Sequence, residues 1–319
     1  VELKYPSSRW RAVFVDAEID LDNRIPAGHA AFFNSPYNGF AYTALSLASQ
    51  VSNDRPCTES SRHRSWSFGD AAEALPRLMN VAIMQPYFFP YIGYFQLIAA
   101  SNVFVLHDDV QYIMGGWVNR NRILLNGEDR MITFPVQKAA HVLPINARSY
   151  VSSNQGLKHI VNQVKQAYAK APGYRQVFPM VEELLTFADR NVARFNENLI
   201  RRICDFIGIK TSIITSSSLD KDDTLSGQER VLNICQHLGG TDYTNPIGGA
   251  KLYQQEAFQS RGIRLHFLAA KDERYRQHDD KWVPFLSIID VLMFNSVPDV
   301  QRLLSSYRLL TQAEIDVQH

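Results

Sequence analysis

A chain of 319 residues has room for one large domain or two small ones. With 45% hydrophobic and 20% charged residues it reads as a packed globular protein, and a formal net charge of +1 gives no whole-molecule field to recruit nucleic acid. No run of about 18 uninterrupted apolar residues is present, so no membrane span is expected; the most apolar stretch, 87–100, is broken by Pro90 and Gly93.

Residues 1–78 differ in character from the rest of the chain. They hold one short strand-like run (11–16), then turn formers and polar tracts at 52–61 and 62–68, with no sustained period of 3.6 or 2.0. The favoured reading is an over-extended frame whose natural start is Met79, with Val1 as a literally translated GTG codon; the other is an appended domain. Under the first, this segment is loosely packed or disordered. The start shows no basic-then-apolar layout of a signal peptide. Cys57, Cys204 and Cys235 are far apart and form no CxxC pair, so neither a zinc site nor a disulfide framework is indicated, and a reducing cytoplasm is the natural compartment.

From residue 79 the element signals are dense. Residues 81–85 predict a buried strand ended by Pro86, residues 92–100 a helix and residues 103–107 a second strand. This β-α-β unit implies an α/β fold with a parallel-type core, and functional groups are expected at the strand C-termini. A hairpin follows, 122–125 and 130–134, joined through Asn126-Gly127. A helical middle section spans 157–170, 175–188 and 191–207, each with apolar residues at three- and four-residue spacing. Then come a strand (211–215), a polar loop (216–225) and a helix opened by the capping-box pattern Ser226-Gly-Gln-Glu229 and stopped at Gly239-Gly240. A helix (251–260), a strand (263–268) and an apolar helix (287–294) complete a domain over 79–310, with 311–319 as a tail.

Five segments carry residue types suited to chemistry. The loop after the first strand holds Gln85, Tyr87 and further aromatics that form a wall for a sugar or base ring. His107, Asp108 and Asp109 end the second strand; paired acids there serve as base or hold Mg²⁺ against a diphosphate, although adjacent strand residues face opposite sides. Trp117, Asn119, Arg120, Asn121 and Arg122 combine a stacking surface with amide groups and anion forks. Asn245, Gly248, Gly249 and Lys251 precede a predicted helix, where backbone N–H groups and a lysine meet an anion. Asp290 lies in an apolar helix and needs a partner, such as an arginine or a backbone cap. There is no GxSxG elbow, HExxH pair, Walker A loop or GxGxxG turn, so attack by a substrate amine or hydroxyl is favoured over an enzyme nucleophile.

The segments Val81–Phe95, Asp108–Tyr112, Gly116–Arg122, Asn245–Gly249 and Leu286–Asn295, in that order, resemble the signatures of the WbqC-like protein family over roughly Met79 to Leu310. The resemblance implies a protein of surface-polysaccharide (O-antigen) biosynthesis, with aminoacyl (glycyl) transfer to a sugar as the suggested activity. It brings no catalytic assignment. The combined expectation is a transferase that moves an acyl or aminoacyl group onto an amino sugar, with a nucleotide sugar or glycan precursor as partner and Mg²⁺ as the one cofactor the residues suggest. A nucleotidylyl- or glycosyl-transferase and a non-catalytic sugar-binding scaffold are the alternatives.

Overall fold

The computed structural model describes residues 78–278 and 281–317. The expectations for residues 1–77, Cys57 among them, and for Asp279 and Asp280 lie outside the described residues.

Val81, Ala82 and Ile83 are buried on both faces of a strand, as a central parallel strand requires. This strand, β1 (Asn80–Met84), is followed by α1 (Ile92–Ala99) and β2 (Val103–Leu106), which pairs with it in parallel. The hairpin forms from β3 (Arg120–Leu125) and β4 (Glu128–Thr133). Asn126 and Gly127 sit at φ 54° and 74°, the left-handed pair that a two-residue turn between twisted strands demands.

The helical section comprises α2 (Asn154–Tyr168), α3 (Tyr174–Leu185) and α4 (Val192–Ile207). Asn191 caps α4 by accepting from the Arg194 N–H, and Gly208 ends it in the left-handed region at φ 82°. Then follow β5 (Ser212–Thr215), α5 (Gly227–His237), β6 (Asp242–Pro246), α6 (Gln255–Gln259) and β7 (Arg264–Ala270). The chain closes through α7 (Ile288–Phe294), α8 (Val297–Leu304), β8 (Tyr307–Leu310) and α9 (Gln312–Asp316).

Six strands form one sheet in the order β5-β2-β1-β6-β7-β8, parallel throughout except for β8, which runs antiparallel at the edge. The fold is α/β. The pleat divides the core in two. Ala82, Phe104 and Leu106 pack with α1, α4, α7 and α8, whereas Val81, Ile83, Val105, Tyr243 and Phe267 pack with α5 and α6. The helix after β1 thus lies on one face and the helix after β6 on the other. Since β1 and β6 are neighbours, their carboxyl ends form the topological switch point, the place at which ligands of such sheets bind.

Several local expectations change. Ser226 and Glu229 do not form a capping box: the Ser226 side chain makes no cap bond and Glu229 instead meets Arg261 at 2.6 Å. The reciprocal box is found at Thr311 and Glu314, and the segment expected as a tail begins as helix α9. The helix expected over 251–260 shrinks to the five residues of α6, preceded by a 3-10 turn, Ile247–Leu252. Asp290, fully buried, is held by neither arginine nor cap. Its carboxylate accepts from Tyr168 Oη (3.0 Å), Tyr275 Oη (2.6 Å) and Gln277 Nε2 (3.0 Å), which ties α7 to the helical section. Cys204 and Cys235 are buried free thiols whose pKa burial raises to about 12. No helix among the described residues is long and apolar enough to cross a membrane.

Candidate functional site

The loop leaving β1 is held in one shape by a convergent set of hydrogen bonds. Phe89 is buried at φ 42°, a conformation costly for a bulky residue, and its carbonyl accepts from Asn121 Nδ2 (2.8 Å) and Ser287 Oγ (2.8 Å). Asn121 Nδ2 also reaches the Phe88 carbonyl at 3.0 Å. Asn196 Nδ2, wholly buried, bridges the Pro86 and Val118 carbonyls at 2.8 and 2.7 Å, while its Oδ1 accepts from Tyr150 Oη at 2.9 Å. Phe88 N–H donates to the Trp117 carbonyl. The 117–122 segment therefore shapes the 85–90 loop, and Asn196, which no motif flagged, completes the bracket.

This corrects the expected anion forks. Arg120 donates through Nε and Nη2 to the carbonyls of Gly116 and Gly115, closing its own turn. Arg122 pairs with Asp129 across the hairpin (3.1 Å), donates to the Phe285 carbonyl and lies 5.8 Å over the Trp117 ring. Asn119 donates to the Phe134 carbonyl. These side chains serve the framework, where backbone carbonyls and Asp129 supply their acceptors.

Continuing the pleat past the strand ends puts four polar side chains on one face. Gln85 follows Ile83, His107 follows Val105, Ser216 follows Ile214 and Asn245 follows Tyr243. The register pairs Val105 with both Ile83 and Ile214, so Gln85, His107 and Ser216 stand level in a row across β1, β2 and β5. Asn245, one step lower on β6, is 4% exposed and its amide packs against Gly249. Neither the Gln85 nor the Asn245 amide has a hydrogen-bond partner among the described residues. Gly248 and Gly249 lie in the 3-10 turn, so the helix N-terminus expected at this point is not formed; Lys251 ends the turn, exposed. Tyr87 is half-buried against Tyr94, and burial, then Tyr91, raises its pKa to about 12.

Asp108 and Asp109 part company. Asp108 is buried and saturated: it accepts from the Ser217 N–H (2.9 Å), Ser217 Oγ (2.6 Å) and Asn146 Nδ2 (3.4 Å), latching β2 to two other segments. Asp109 instead meets Lys221 Nζ at 2.6 Å and Arg230 Nη2 at 2.7 Å, both inside the protein, and the exposed Asp223 completes the group from outside. The two carboxylates face different partners, so the Mg²⁺ site expected from the pair is not formed. No three His, Cys, Asp or Glu converge elsewhere among the described residues.

Burial alone would raise the Asp109 pKa, but the Lys221 and Ser216 side-chain hydrogen bonds and the Arg230 charge hold it below the usual carboxylate value. His107 Nε2 lies 3.9 Å from Asp109 Oδ1, beyond hydrogen-bond reach. Burial lowers the imidazole pKa to about 4; Asp109 opposes the shift, and Arg230 and Lys221 reinforce it. His107 is therefore neutral at pH 7.

Buried polar atoms without partners are rare in native proteins, and each requires a reason. Of eleven such atoms among the described residues, His107 Nε2 and Arg230 Nε lie here, beside the Ser216 hydroxyl, which acts on the Asp109 carboxylate. A neutral imidazole, a fixed carboxylate, a hydroxyl and a guanidinium edge are thus enclosed together at the carboxyl ends of β2 and β5, with the Gln85 and Asn245 amides on the same face. Such a set can bind a polar, hydroxyl- or amine-bearing ligand and move a proton. Ser216, Lys221 and Arg230 were not foreseen. The 216–225 loop reads as a solvated turn, and its meeting with Asp109 is set by the β2–β5 pairing.

The WbqC-like protein family matches residues 85–302, which includes β1's exit loop, the His107–Asp109 segment, Lys221, Arg230 and Asn245. A Mycobacterium tuberculosis protein described as uncharacterized is 28% identical over 232 residues, covering 70% of this chain and 98% of that one. No solved structure matches. With the family match spanning well over half of its length, the chain belongs to the WbqC-like protein family.

Proposed function

We propose that the protein transfers an acyl or aminoacyl group to the amine of an amino sugar, presented as a nucleotide sugar or glycan precursor for surface-polysaccharide (O-antigen) synthesis in the cytoplasm. The observation that carries this reading is the neutral, unpartnered His107 Nε2 in a row of polar groups at the switch point. The sugar nitrogen attacks the carbonyl carbon of an activated ester or thioester, forming the C–N bond. Its N–H proton passes to His107 Nε2. The C–O or C–S bond then breaks, and the leaving group departs with the bonding pair and takes the proton back from the imidazolium. An imidazole held near 4 is a weak base, but its conjugate acid gives up the proton readily, which suits the second half of the step. Asp109, fixed by two cations, steadies the transient imidazolium and does not itself take the proton. Tyr87 lines the sugar side, and Gln85 and Asn245 offer amides to its hydroxyls.

The test is to incubate the full chain with a nucleotide-linked amino sugar and thioester or aminoacyl-ester donors, and to follow the sugar by mass spectrometry. The proposal predicts the mass gain of one acyl group, abolished by His107→Gln. Unchanged turnover in that variant contradicts the role of His107.

The glycines give a finer check. A Cβ on Gly249 would stand 2.5 Å from Asn245 Nδ2, whereas one on Gly248 meets nothing within 4 Å. Gly249→Ala should displace the amide and weaken sugar binding about tenfold, the value of one hydrogen bond, and Gly248→Ala should bind as the parent does. Calorimetric titration of both variants decides it; equal affinities would remove Asn245 from the site.

A further inference from the structure

Arg148 is the single arginine in the buried class among the described residues, 3% exposed. It follows a 3-10 turn (Ile145–Ala147) and its backbone is fixed on both sides: its N–H donates to the Ile145 carbonyl and its carbonyl accepts from the Val192 N–H. The guanidinium lies 4.8 Å over the Tyr112 ring. No carboxylate forms an ion pair with it and no hydrogen bond from its side chain is found among the described residues; Nε and Nη1 are enclosed without partners. A guanidinium cannot discard its proton to escape burial, so an enclosed one without a counter-charge is a standing cost to the fold. A neighbouring ring offsets only part of it.

Arg148 also stands at the functional end of the sheet. Two residues before it, Asn146 donates from its backbone N–H to the Asp108 carbonyl and from Nδ2 to the Asp108 carboxylate, just past β2. Burial raises the Tyr112 phenol's pKa, and the nearby Arg148 charge, with that of Arg120, opposes the rise. The guanidinium and the phenol ring meet there, and no acid pairs with Arg148 among the described residues.

We propose that Arg148, seated on Tyr112, is the receptor for an oxyanion that presents two oxygens, a phosphate or carboxylate group of a bound ligand. The planar fork matches such a pair of oxygens, and the ligand supplies the counter-charge that the protein withholds. The inference concerns binding alone and stands whether or not acyl transfer occurs.

The test uses the full chain and Arg148→Met, which keeps an unbranched stem and removes the charge. Inorganic diphosphate and acetate are titrated separately by calorimetry, and thermal unfolding is recorded without ligand. The wild-type protein should bind one of the two, diphosphate marking a phosphoryl group and acetate a carboxylate. Arg148→Met should lose that binding at least tenfold, and its unliganded midpoint should equal or exceed that of the parent, because an unpaired buried charge has been removed. Arg148→Lys, which keeps the charge without the fork, should bind in between. A variant that melts several degrees lower, or fails to fold, shows the guanidinium to be a structural element and overturns the proposal. So does binding that survives in Arg148→Met, or a wild-type protein that binds neither anion.

Discussion

Asp109→Asn should lower the unfolding free energy by about 3 kcal/mol, the lower end of what is lost when one member of a buried ion pair is removed. Lys221 Nζ and Arg230 Nη2 both rest on the same oxygen, Asp109 Oδ2, and their side chains are 2% and 12% exposed. An asparagine leaves these two cations facing each other across a neutral amide. Asp223 still meets Lys221 at 2.9 Å and Arg230 at 3.4 Å, which keeps the loss from the upper end of the range. Asp223→Asn is the internal control. That carboxylate is 76% exposed, so its replacement should change stability by less than about 0.5 kcal/mol. Urea unfolding of the two variants measures the contrast, and similar small losses in both would mean that the cluster is not a buried one.

The second large effect is a dependence of stability on pH that belongs to His107. Its pKa is about 4 in the folded protein, against 6.5 for an ordinary solvated imidazole, with burial as the main cause. Above pH 6.5 folded and unfolded chains are both neutral at this residue and its contribution is fully present. As pH falls from 6.5 toward 4 the unfolded chain takes up a proton that the folded one refuses, and stability declines. Below about 4 both forms are protonated and the contribution is gone. The displacement corresponds to about 3 kcal/mol. Asp109, Lys221 and Arg230 are the charged groups facing the ring, and Asp109 holds its charge through this window because its pKa is lowered. Subtracting the pH–stability curve of His107→Gln from that of the parent should isolate a slope confined to pH 4–6.5. A flat difference would contradict the burial of a neutral imidazole.

How far the fold was legible depended on whether the signal was local. Val81–Ile83 and Phe104–Leu106 announce central strands because every residue is apolar. Asn126-Gly127 specifies its turn because the backbone there must be left-handed. The edge strand β8 escaped notice: four residues with two exposed in the middle carry no period, and pairing with β7 alone makes them a strand. Two segments share a capping-box pattern, yet only Thr311–Glu314 forms the box: Glu229 is drawn to Arg261 at 2.6 Å, whereas Glu314 accepts from the Thr311 N–H at 2.7 Å.

The site was legible by region and not by role. The switch-point geometry puts Gln85, His107 and Asn245 where parallel-sheet logic expects function. The fate of the adjacent acids was not readable, since Ser217 saturates one and Lys221 and Arg230 fix the other from more than a hundred residues away. Arg120 and Arg122 looked like anion forks but have backbone carbonyls and Asp129 at hand. Arg148 sits in a stretch without motif or period, and only its enclosure without a counter-charge marks it.

On the proposed function, the carboxyl ends of β5, β2, β1 and β6 bind a nucleotide-linked amino sugar. Thermal unfolding of the full chain against a panel of nucleotide sugars, run beside Asn245→Ala, tests it most directly. A ligand at about 100 times its dissociation constant adds about 2.7 kcal/mol of stability. The expected result is a raised midpoint with amino-sugar nucleotides in the parent and its loss in the variant. A midpoint that no nucleotide sugar moves, or that moves equally in both proteins, would contradict it.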